Sequence, residues 1–205
     1  RTVVGTGIHI MAGNVATKEG YEDLSRWGAD SVRCNVGGGS ICSTRIQAGS
    51  GYPGLQTLFD CSSSDFSGRV PIIADGGIRN SGDIVKALAA GADFVMLGSL
   101  LSGTEETPSD TIEVGGETRK VYRGMASREA QLAWRGKTSS LEGVATTVAH
   151  KGSVEHTLSD LERGIRSGLS YSGARTIEDF QSVAEFVRQT RAGTVESGTH
   201  IMRVL

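Results

Sequence analysis

Four apolar segments in the first half of the chain each run directly into a motif of glycine or small polar residues. The motifs read AGN, GGGSICSTR, ADGG and LGS. Helical spacing follows the third motif, where Ile84, Val85 and Leu88 share one face and Ser81 is the predicted N-cap. Apolar strands that alternate with helices are typical of a parallel sheet covered by helices. The sequence therefore predicts an α/β fold with four parallel strands.

Four such strands amount to half of a closed (β/α)8 barrel. The chain has 205 residues, whereas a complete barrel takes about 250. We expect a partial barrel of the TIM-barrel type, forming one domain over residues 1–205. Residues 105–150 are polar and contain Gly115-Gly116, which is typical of a hairpin turn, so they are predicted to form a lid inserted into the barrel. The rest is predicted as strands near 7–15 and 94–101, helices at 154–169 and 177–191, and a flexible tail at 192–205.

Composition excludes several classes of function. The net charge is −2 and the charged residues are scattered, so no basic stripe is available for a nucleic-acid polymer. No apolar run approaches the roughly 20 residues of a membrane span, and no signal-peptide pattern is present, so a cytoplasmic protein is expected. The cysteines number 3 and form no CxxC pair, which argues against a disulfide framework.

The strand-end motifs predict a binding site for an anionic ligand. The carboxyl ends of parallel barrel strands meet on one face, and small residues let backbone N–H groups approach a phosphate. Asp75 ends the apolar run VPIIAD, where a carboxylate either binds a ribose diol or acts as a structural cap. Any single glycine of these motifs serves equally well as a tight turn. The candidates for a phosphate site are Ser40, Gly77, Gly98 and Ser99.

Cys42 is the candidate nucleophile among the cysteines. It lies in a glycine-rich loop between polar neighbours, whereas Cys34 falls in a strand and Cys61 on a helix. An exposed thiol in such a loop can ionise, while buried cysteines are usually inert packing residues. Composition alone leaves both interpretations of Cys42 open.

GGGSICSTR resembles the catalytic loop of the inosine monophosphate (IMP) dehydrogenase and guanosine monophosphate (GMP) reductase family. MAGNVAT, ADGGI, GADFVMLGSLLSGTEE, YRGM, HKGSVEHT and GIRSGLSYSGA are similar to further family segments and stand in the same order. The likeness covers about residues 8–180 and begins at the family's fifth barrel strand. It implies a (β/α)8 barrel whose first half is not in this chain.

The resemblance implies a role for each matching residue. Cys42 is the nucleophile that attacks purine C2, with hydride exchanged between C2 and a nicotinamide ring. Thr44 matches the threonine that takes part in activating water or ammonia. Other matches are nucleotide-binding Ser40, Asp75, Gly77, Gly98, Ser99 and Tyr122, base-neighbouring Gly124 and Met125, dinucleotide-neighbouring Asn14 and Arg33, and Gly37, Gly39 and Cys42, whose carbonyls hold a monovalent cation such as K+ in the dehydrogenases. Asn35 and Gly38 depart from the usual residues of this loop.

The segment between Met125 and Lys151 favours the reductase branch. Dehydrogenases carry an Arg-Tyr pair on a mobile flap, and this segment has none. MAGNV, GYPGLQ and KGSVEHT also resemble reductases more closely, whereas GSLLSGTEE and YRGM resemble dehydrogenases. Reductases place a glutamate after the two residues that follow GM; here Arg128 holds that position and Glu129 follows it. We therefore predict a GMP reductase that uses NADPH and Glu129, with an NAD-dependent IMP dehydrogenase as the alternative.

A chain with only half of the barrel is expected to have protein partners. The family usually forms tetramers, so a homo-oligomer is expected, and a second chain that completes the barrel is the other possibility. A half-barrel also exposes apolar strand edges. A third hypothesis is therefore a remnant that binds nucleotide without turning it over.

Overall fold

Strands and helices alternate through the first half of the molecule. The structure is a computed structural model that describes residues 2–3 and 5–199. The four strands pair in parallel in the order β1-β2-β3-β4, which confirms the predicted α/β fold. The elements are β1 (Met11–Val15), α1 (Lys18–Arg26), β2 (Ser31–Cys34), α2 (Thr44–Gln47), α3 (Gly54–Ser62), β3 (Ile72–Asp75), α4 (Ser81–Ala89) and β4 (Phe94–Met96).

The core lies between this sheet and the helices α1, α3 and α4. Val32 and Ile72 of the central strands and Tyr21 of α1 are fully buried. The Tyr21 hydroxyl donates to the Val70 carbonyl at 2.6 Å and accepts from the Val70 N–H at 3.1 Å, which satisfies the phenol in the core. Its burial raises the pKa of Tyr21. The helices therefore pack against one face of the sheet.

A second, antiparallel sheet lies within the predicted lid. It consists of β5 (Thr111–Val114), β6 (Glu117–Arg123) and β7 (Ala145–Ala149), with α5 (Arg128–Arg135) between β6 and β7. Gly115 and Gly116 join β5 to β6 with φ of 61° and 83°, the left-handed geometry of a tight hairpin turn, so the predicted hairpin is confirmed. Whether residues 105–150 open and close as a lid stays a prediction.

Three helices complete the described part of the chain: α6 (Val154–Tyr171), α7 (Ile177–Val183) and α8 (Arg191–Glu196). The prediction of one helix over 177–191 is wrong, because the backbone turns extended at Ala184 and a new helix begins only after Thr190, whose hydroxyl caps it. The predicted tail at 192–205 therefore starts inside α8; residues 200–205 lie outside the described residues. The cap of α4 is Asn80 rather than Ser81, since the Asn80 side chain accepts from the Asp83 N–H.

Two predicted strands are shorter than expected. β1 begins at Met11 rather than near residue 7, and β4 ends at Met96 because the Gly98 carbonyl accepts from the N–H groups of Leu101 and Ser102, which bends the chain into turns. β1 and β4 form the edges of the sheet, where Met11 is 47% and Phe94 is 59% exposed. These edges have the exposed apolar character predicted for a half-barrel. In the described part of the chain, no helix is long and apolar enough to cross a bilayer.

Candidate active site

Cys42 lies in the loop between β2 and α2, at the carboxyl ends of the strands. Its thiol is exposed and donates to the Thr44 hydroxyl at 3.2 Å, and its backbone N–H donates to the Gly39 carbonyl at 3.1 Å. Cys34 and Cys61 are free thiols that are fully buried. A hydrogen bond with Cys61 and burial raise the pKa of Cys34 far above its usual value. Cys42 is thus the cysteine that a ligand reaches.

Glu142 lies next to the Cys42–Thr44 contact, because its segment pairs with the cysteine loop. The returning lid segment pairs with the cysteine loop: Val144 N–H donates to the Ile41 carbonyl at 3.0 Å and Ser43 N–H to the Glu142 carbonyl at 2.8 Å. Hydrogen bonds from Ser140 and then from Thr44 lower the pKa of Glu142 below its usual value. An ionised carboxylate therefore lies one hydroxyl away from the thiol.

The carboxylate beside Thr44 differs from the one that the sequence predicts. Glu129, the predicted residue, is exposed in the first turn of α5, and its described contact is a backbone one, the carbonyl accepting from Arg123 at 3.5 Å. Glu142 was missed. The signal in the sequence is weak: a Glu-Gly pair directly before the β-branched run that becomes β7, where a loop meets a strand. Its proximity to Thr44 arises from pairing across about a hundred residues.

Asp75 is the last residue of β3, and it accepts hydrogen bonds from two residues that are predicted to lie near the dinucleotide. Its Oδ2 accepts from Arg33 Nη2 at 2.7 Å and Nε at 3.2 Å, and from Asn14 Nδ2 at 2.7 Å. Arg33 belongs to the adjacent β2 and Asn14 to β1 beyond it, so one carboxylate oxygen joins residues of three consecutive strands. No described group donates to Oδ1.

The predicted phosphate residues converge at the other side of the cysteine loop. The hydroxyls of Ser40 and Tyr122 lie 3.3 Å apart, and a Cβ added at Gly98 would lie 3.2 Å from the Tyr122 hydroxyl. Ser99 follows Gly98 in the same turn. Gly77 lies against the Gly38 carbonyl, at 3.4 Å from an added Cβ. The site therefore combines residues from the loops that follow β2, β3 and β4 with Tyr122 of β6.

The remaining predicted residues border this site. Gly39 accepts from Cys42 as above, and Gly37, with φ of 77°, packs against the Arg45 side chain. Gly124 lies beside Ile41, with an added Cβ 3.5 Å from Ile41 Cδ1, and Met125 is 70% exposed. The described residues contain no group of three His, Cys, Asp or Glu side chains that suits a metal ion. A monovalent cation held by carbonyls of Gly37, Gly39 and Cys42 stays a prediction.

Asn35 explains the unusual glycine at position 38. It is 6% exposed with φ of 123°, and its Nδ2 donates to the carbonyls of Asp75 at 2.8 Å and Gly76 at 3.4 Å. Its own carbonyl accepts from Asn14 Nδ2 at 2.9 Å. A Cβ added at Gly38 would overlap the Asn35 amide. The Asn35 side chain thus fills the space that a side chain at residue 38 needs, so the two departures from the usual loop are coupled.

This coupling is testable by stability. Gly38→Ala is expected to cost about 1–3 kcal/mol of the free energy of unfolding, because the added methyl group overlaps a buried amide. Asn35→Gly removes the obstructing side chain and also the hydrogen bonds that Asn35 donates to the carbonyls of Asp75 and Gly76. Gly38→Ala should therefore cost much less when it is made in Asn35→Gly than in the unmodified protein. Urea unfolding of the two single variants and the double variant measures this. Gly7→Ala, at an open position, is the control; an equal cost of Gly38→Ala in both backgrounds would disprove the coupling.

A profile described as the IMP dehydrogenase / GMP reductase domain matches residues 1–200. The chain belongs to the IMP dehydrogenase / GMP reductase family. It is 47% identical over 203 residues to inosine-5'-monophosphate dehydrogenase from Nitrosopumilus maritimus, which covers 93% of this chain and 43% of that protein. It is 45% identical over 203 residues to GMP reductase from Leishmania major, with 94% and 41% covered. The chain therefore spans about two fifths of the length of these relatives.

A solved structure agrees with the family assignment. It is a cysteine-to-alanine variant of GMP reductase from Trypanosoma brucei in complex with guanosine 5'-monophosphate, with a TM-score of 0.90 and 47% sequence identity. The match covers 96% of this chain and 42% of that one, which confirms that this member of the IMP dehydrogenase / GMP reductase family has the fold of part of the reductase. Relatives of both names match at nearly equal identity, so membership of the family leaves the reaction open.

Proposed function

We propose that this protein reduces GMP to IMP and ammonia with NADPH, through a covalent bond between Cys42 and purine C2. The observation that carries the proposal is the hydrogen bond from the Cys42 thiol to the Thr44 hydroxyl, beside which the pairing of Ser43 N–H with the Glu142 carbonyl places Glu142. The Thr44 hydroxyl also contributes to the lowered pKa of Glu142. A nucleophile joined to a base through a hydroxyl is an arrangement that generates a thiolate. No tyrosine occurs between residues 124 and 151, so the segment lacks the Arg-Tyr pair of a dehydrogenase.

In the first half of the reaction, a proton moves from the thiol through Thr44 to Glu142 and later returns. This proton path is called the relay. The thiol proton passes through Thr44 to Glu142, and the thiolate adds to C2 of GMP. The proton then returns through Thr44 to the exocyclic amino group, the C2–N bond breaks, and ammonia leaves while the C2–S bond remains. The lowered pKa of Glu142 keeps its carboxylate ionised at neutral pH, so that it holds no proton when the thiol proton is transferred.

The second half of the reaction regenerates the Cys42 thiolate. A nicotinamide dinucleotide, when bound, supplies the hydride that reduces C2. Reduction at C2 breaks the C2–S bond and frees IMP and the Cys42 thiolate. The residues around the thiol fit such a group: Arg33 is 37% exposed and offers a cation beside Asp75, and the exposed Met125 offers an apolar surface for a ring. Asn14, which donates to Asp75, orients this side of the site.

The nucleotide is held in the proposal by the residues that converge around the cysteine loop. Phosphate lies among Ser40, Tyr122, Gly77 and the turn at Gly98 and Ser99, where hydroxyls and backbone N–H groups are donors. The free Oδ1 of Asp75 accepts from the ribose hydroxyls. The base lies toward Gly124 and Met125, above Cys42. This arrangement suits GMP and IMP equally.

IMP dehydrogenase is the second candidate, since relatives of that name match this chain as well as the reductases do. A dehydrogenase from Aquifex aeolicus is 48% identical over 206 residues, slightly more than the Leishmania reductase. In that reaction the same relay activates water to cleave the C2–S bond, and NAD takes the place of NADPH. A form that binds nucleotide without catalysis is the third candidate.

The edges of the sheet bear on assembly. We propose that β1 and β4 pair with strands outside these 205 residues, on the same polypeptide or on a second chain, because both edges carry exposed apolar residues. A tetramer and a cytoplasmic location stay predictions.

The deciding experiment mixes the purified protein with GMP and NADPH and follows nicotinamide absorbance together with released ammonia. NADPH loss matched by ammonia, one for one, supports the reductase. NADH formation from IMP and NAD, with no reaction of GMP, replaces it with the dehydrogenase. Binding of both nucleotides without turnover of either one supports the non-catalytic form.

A further inference from the structure

Two lysines donate to the carbonyls of the turn that follows β4. Lys151 Nζ donates to the carbonyls of Ser99 at 3.0 Å and Leu100 at 3.1 Å. Lys120 is 4% exposed, and its Nζ donates to the carbonyls of Thr104 at 3.0 Å, Glu105 at 3.0 Å and Thr107 at 2.6 Å. Five carbonyls of residues 99–107 therefore face an ammonium group. The Ser99 part of this turn belongs to the phosphate site proposed above.

The orientation of the carbonyls determines where the N–H groups point. In a planar trans peptide, C=O and N–H point in opposite directions. Since the Ser99 carbonyl faces Lys151, the Leu100 N–H points away from that lysine; since the Gly98 carbonyl accepts from Leu101 and Ser102, the Ser99 N–H points away from the turn. Within the described chain, nothing accepts from these two N–H groups. A cation at the carbonyl end of aligned peptide dipoles favours an anion at the N–H end.

Backbone hydrogen bonds, rather than the lysine side chains, attach the lid to the turn. Lys151 N–H donates to the Gly103 carbonyl at 2.8 Å and Glu105 N–H donates to the Gly152 carbonyl at 2.9 Å. These bonds join the end of the lid to the turn without either ammonium group. The Lys151 side chain is therefore not required for the attachment, and its contacts with Ser99 and Leu100 act on the phosphate end of the turn.

We propose that Lys151 and Lys120 are positioning residues that orient the turn at residues 98–107 so that its N–H groups bind the nucleotide phosphate. The inference rests on the proposed function and adds to it two residues that act through the backbone. Lys151 orients the phosphate end of the turn, and Lys120 secures the far end. Because all three N–H donors of Lys120 are used on carbonyls, Lys120 itself donates no hydrogen bond to the phosphate.

The test compares GMP with guanosine, which lacks only the phosphate. Calorimetry gives the dissociation constants of both for the unmodified protein, Lys151→Met, Lys151→Arg and Lys120→Met. Lys151→Met is expected to reduce the preference for GMP over guanosine about ten-fold with guanosine affinity unchanged, since charge-assisted hydrogen bonds to the turn are lost. Lys151→Arg should recover most of the preference. Lys120→Met should reduce it in the same direction.

The control is Lys18→Met, because Lys18 Nζ also donates to a carbonyl, that of Ser63 at 3.0 Å, away from the site. An unchanged preference in Lys151→Met, or an equal loss of GMP and guanosine affinity, overturns the inference. Thermal unfolding shows whether Lys120→Met folds. If it does not, the comparison of Lys151→Met with Lys151→Arg tests the inference. If the unmodified protein binds neither GMP nor IMP, the proposed function fails first and the inference fails with it.

Discussion

Replacing Cys42 with alanine is expected to abolish GMP-dependent NADPH oxidation, lowering turnover by a factor of at least about 10³. The thiol makes the covalent bond to C2, and no other described thiol is exposed, since Cys34 and Cys61 are buried. The affinity for GMP should change little, because phosphate, ribose and base are held by other residues. Stopped-flow absorbance and calorimetry on the same preparation separate the two quantities.

The matched control for this prediction is Cys61→Ala. That cysteine lies in the core on α3, so its loss should cost stability while turnover per folded molecule persists. Turnover that survives in Cys42→Ala would disprove covalent catalysis at this residue. Loss of both turnover and GMP binding would instead indicate that the cysteine loop collapses without its side chain.

Replacing Glu142 with glutamine should lower the rate of ammonia release by a factor on the order of 10². Glutamine keeps the size and an acceptor oxygen but cannot take the thiol proton from Thr44. Hydrogen bonds from Ser140 and Thr44 lower the pKa of Glu142, so the activity of the unmodified protein should persist as pH falls to the usual carboxyl range and decline below it. The rate of Glu142→Gln should show no such acid limb from this group.

Glu129→Gln is the matched comparison, because the sequence favoured Glu129 for the same role. Its position on the exposed first turn of α5 predicts a rate close to that of the unmodified protein. The reverse result, a slow Glu129→Gln protein and an unaffected Glu142→Gln protein, would reject the relay and restore the residue that the sequence favoured. Ammonia release measured at saturating GMP and NADPH provides this comparison.

Much of the fold followed from local pattern. Apolar runs such as IIAD, which ends at Asp75, were recognisable as strands because both faces of a parallel sheet are buried. The Gly115-Gly116 turn was predictable because two left-handed residues in a row favour glycine. Helix ends were less predictable: Asn80 and Ser81 are both good caps, and the choice depends on which side chain reaches the Asp83 N–H.

The sequence by itself determined the parallel strands, the exposed loop cysteine and the order of motifs that resembles the family. Tertiary structure decided which carboxylate meets Thr44, because Glu142 reaches it only through pairing between the lid and the cysteine loop. It also decided that Asn35 excludes a side chain at Gly38 and that two lysines face the carbonyls of the phosphate turn. The physical reason is common to all three: motif identity is local, whereas hydrogen bonds between loops depend on the three-dimensional positions of residues far apart in the chain.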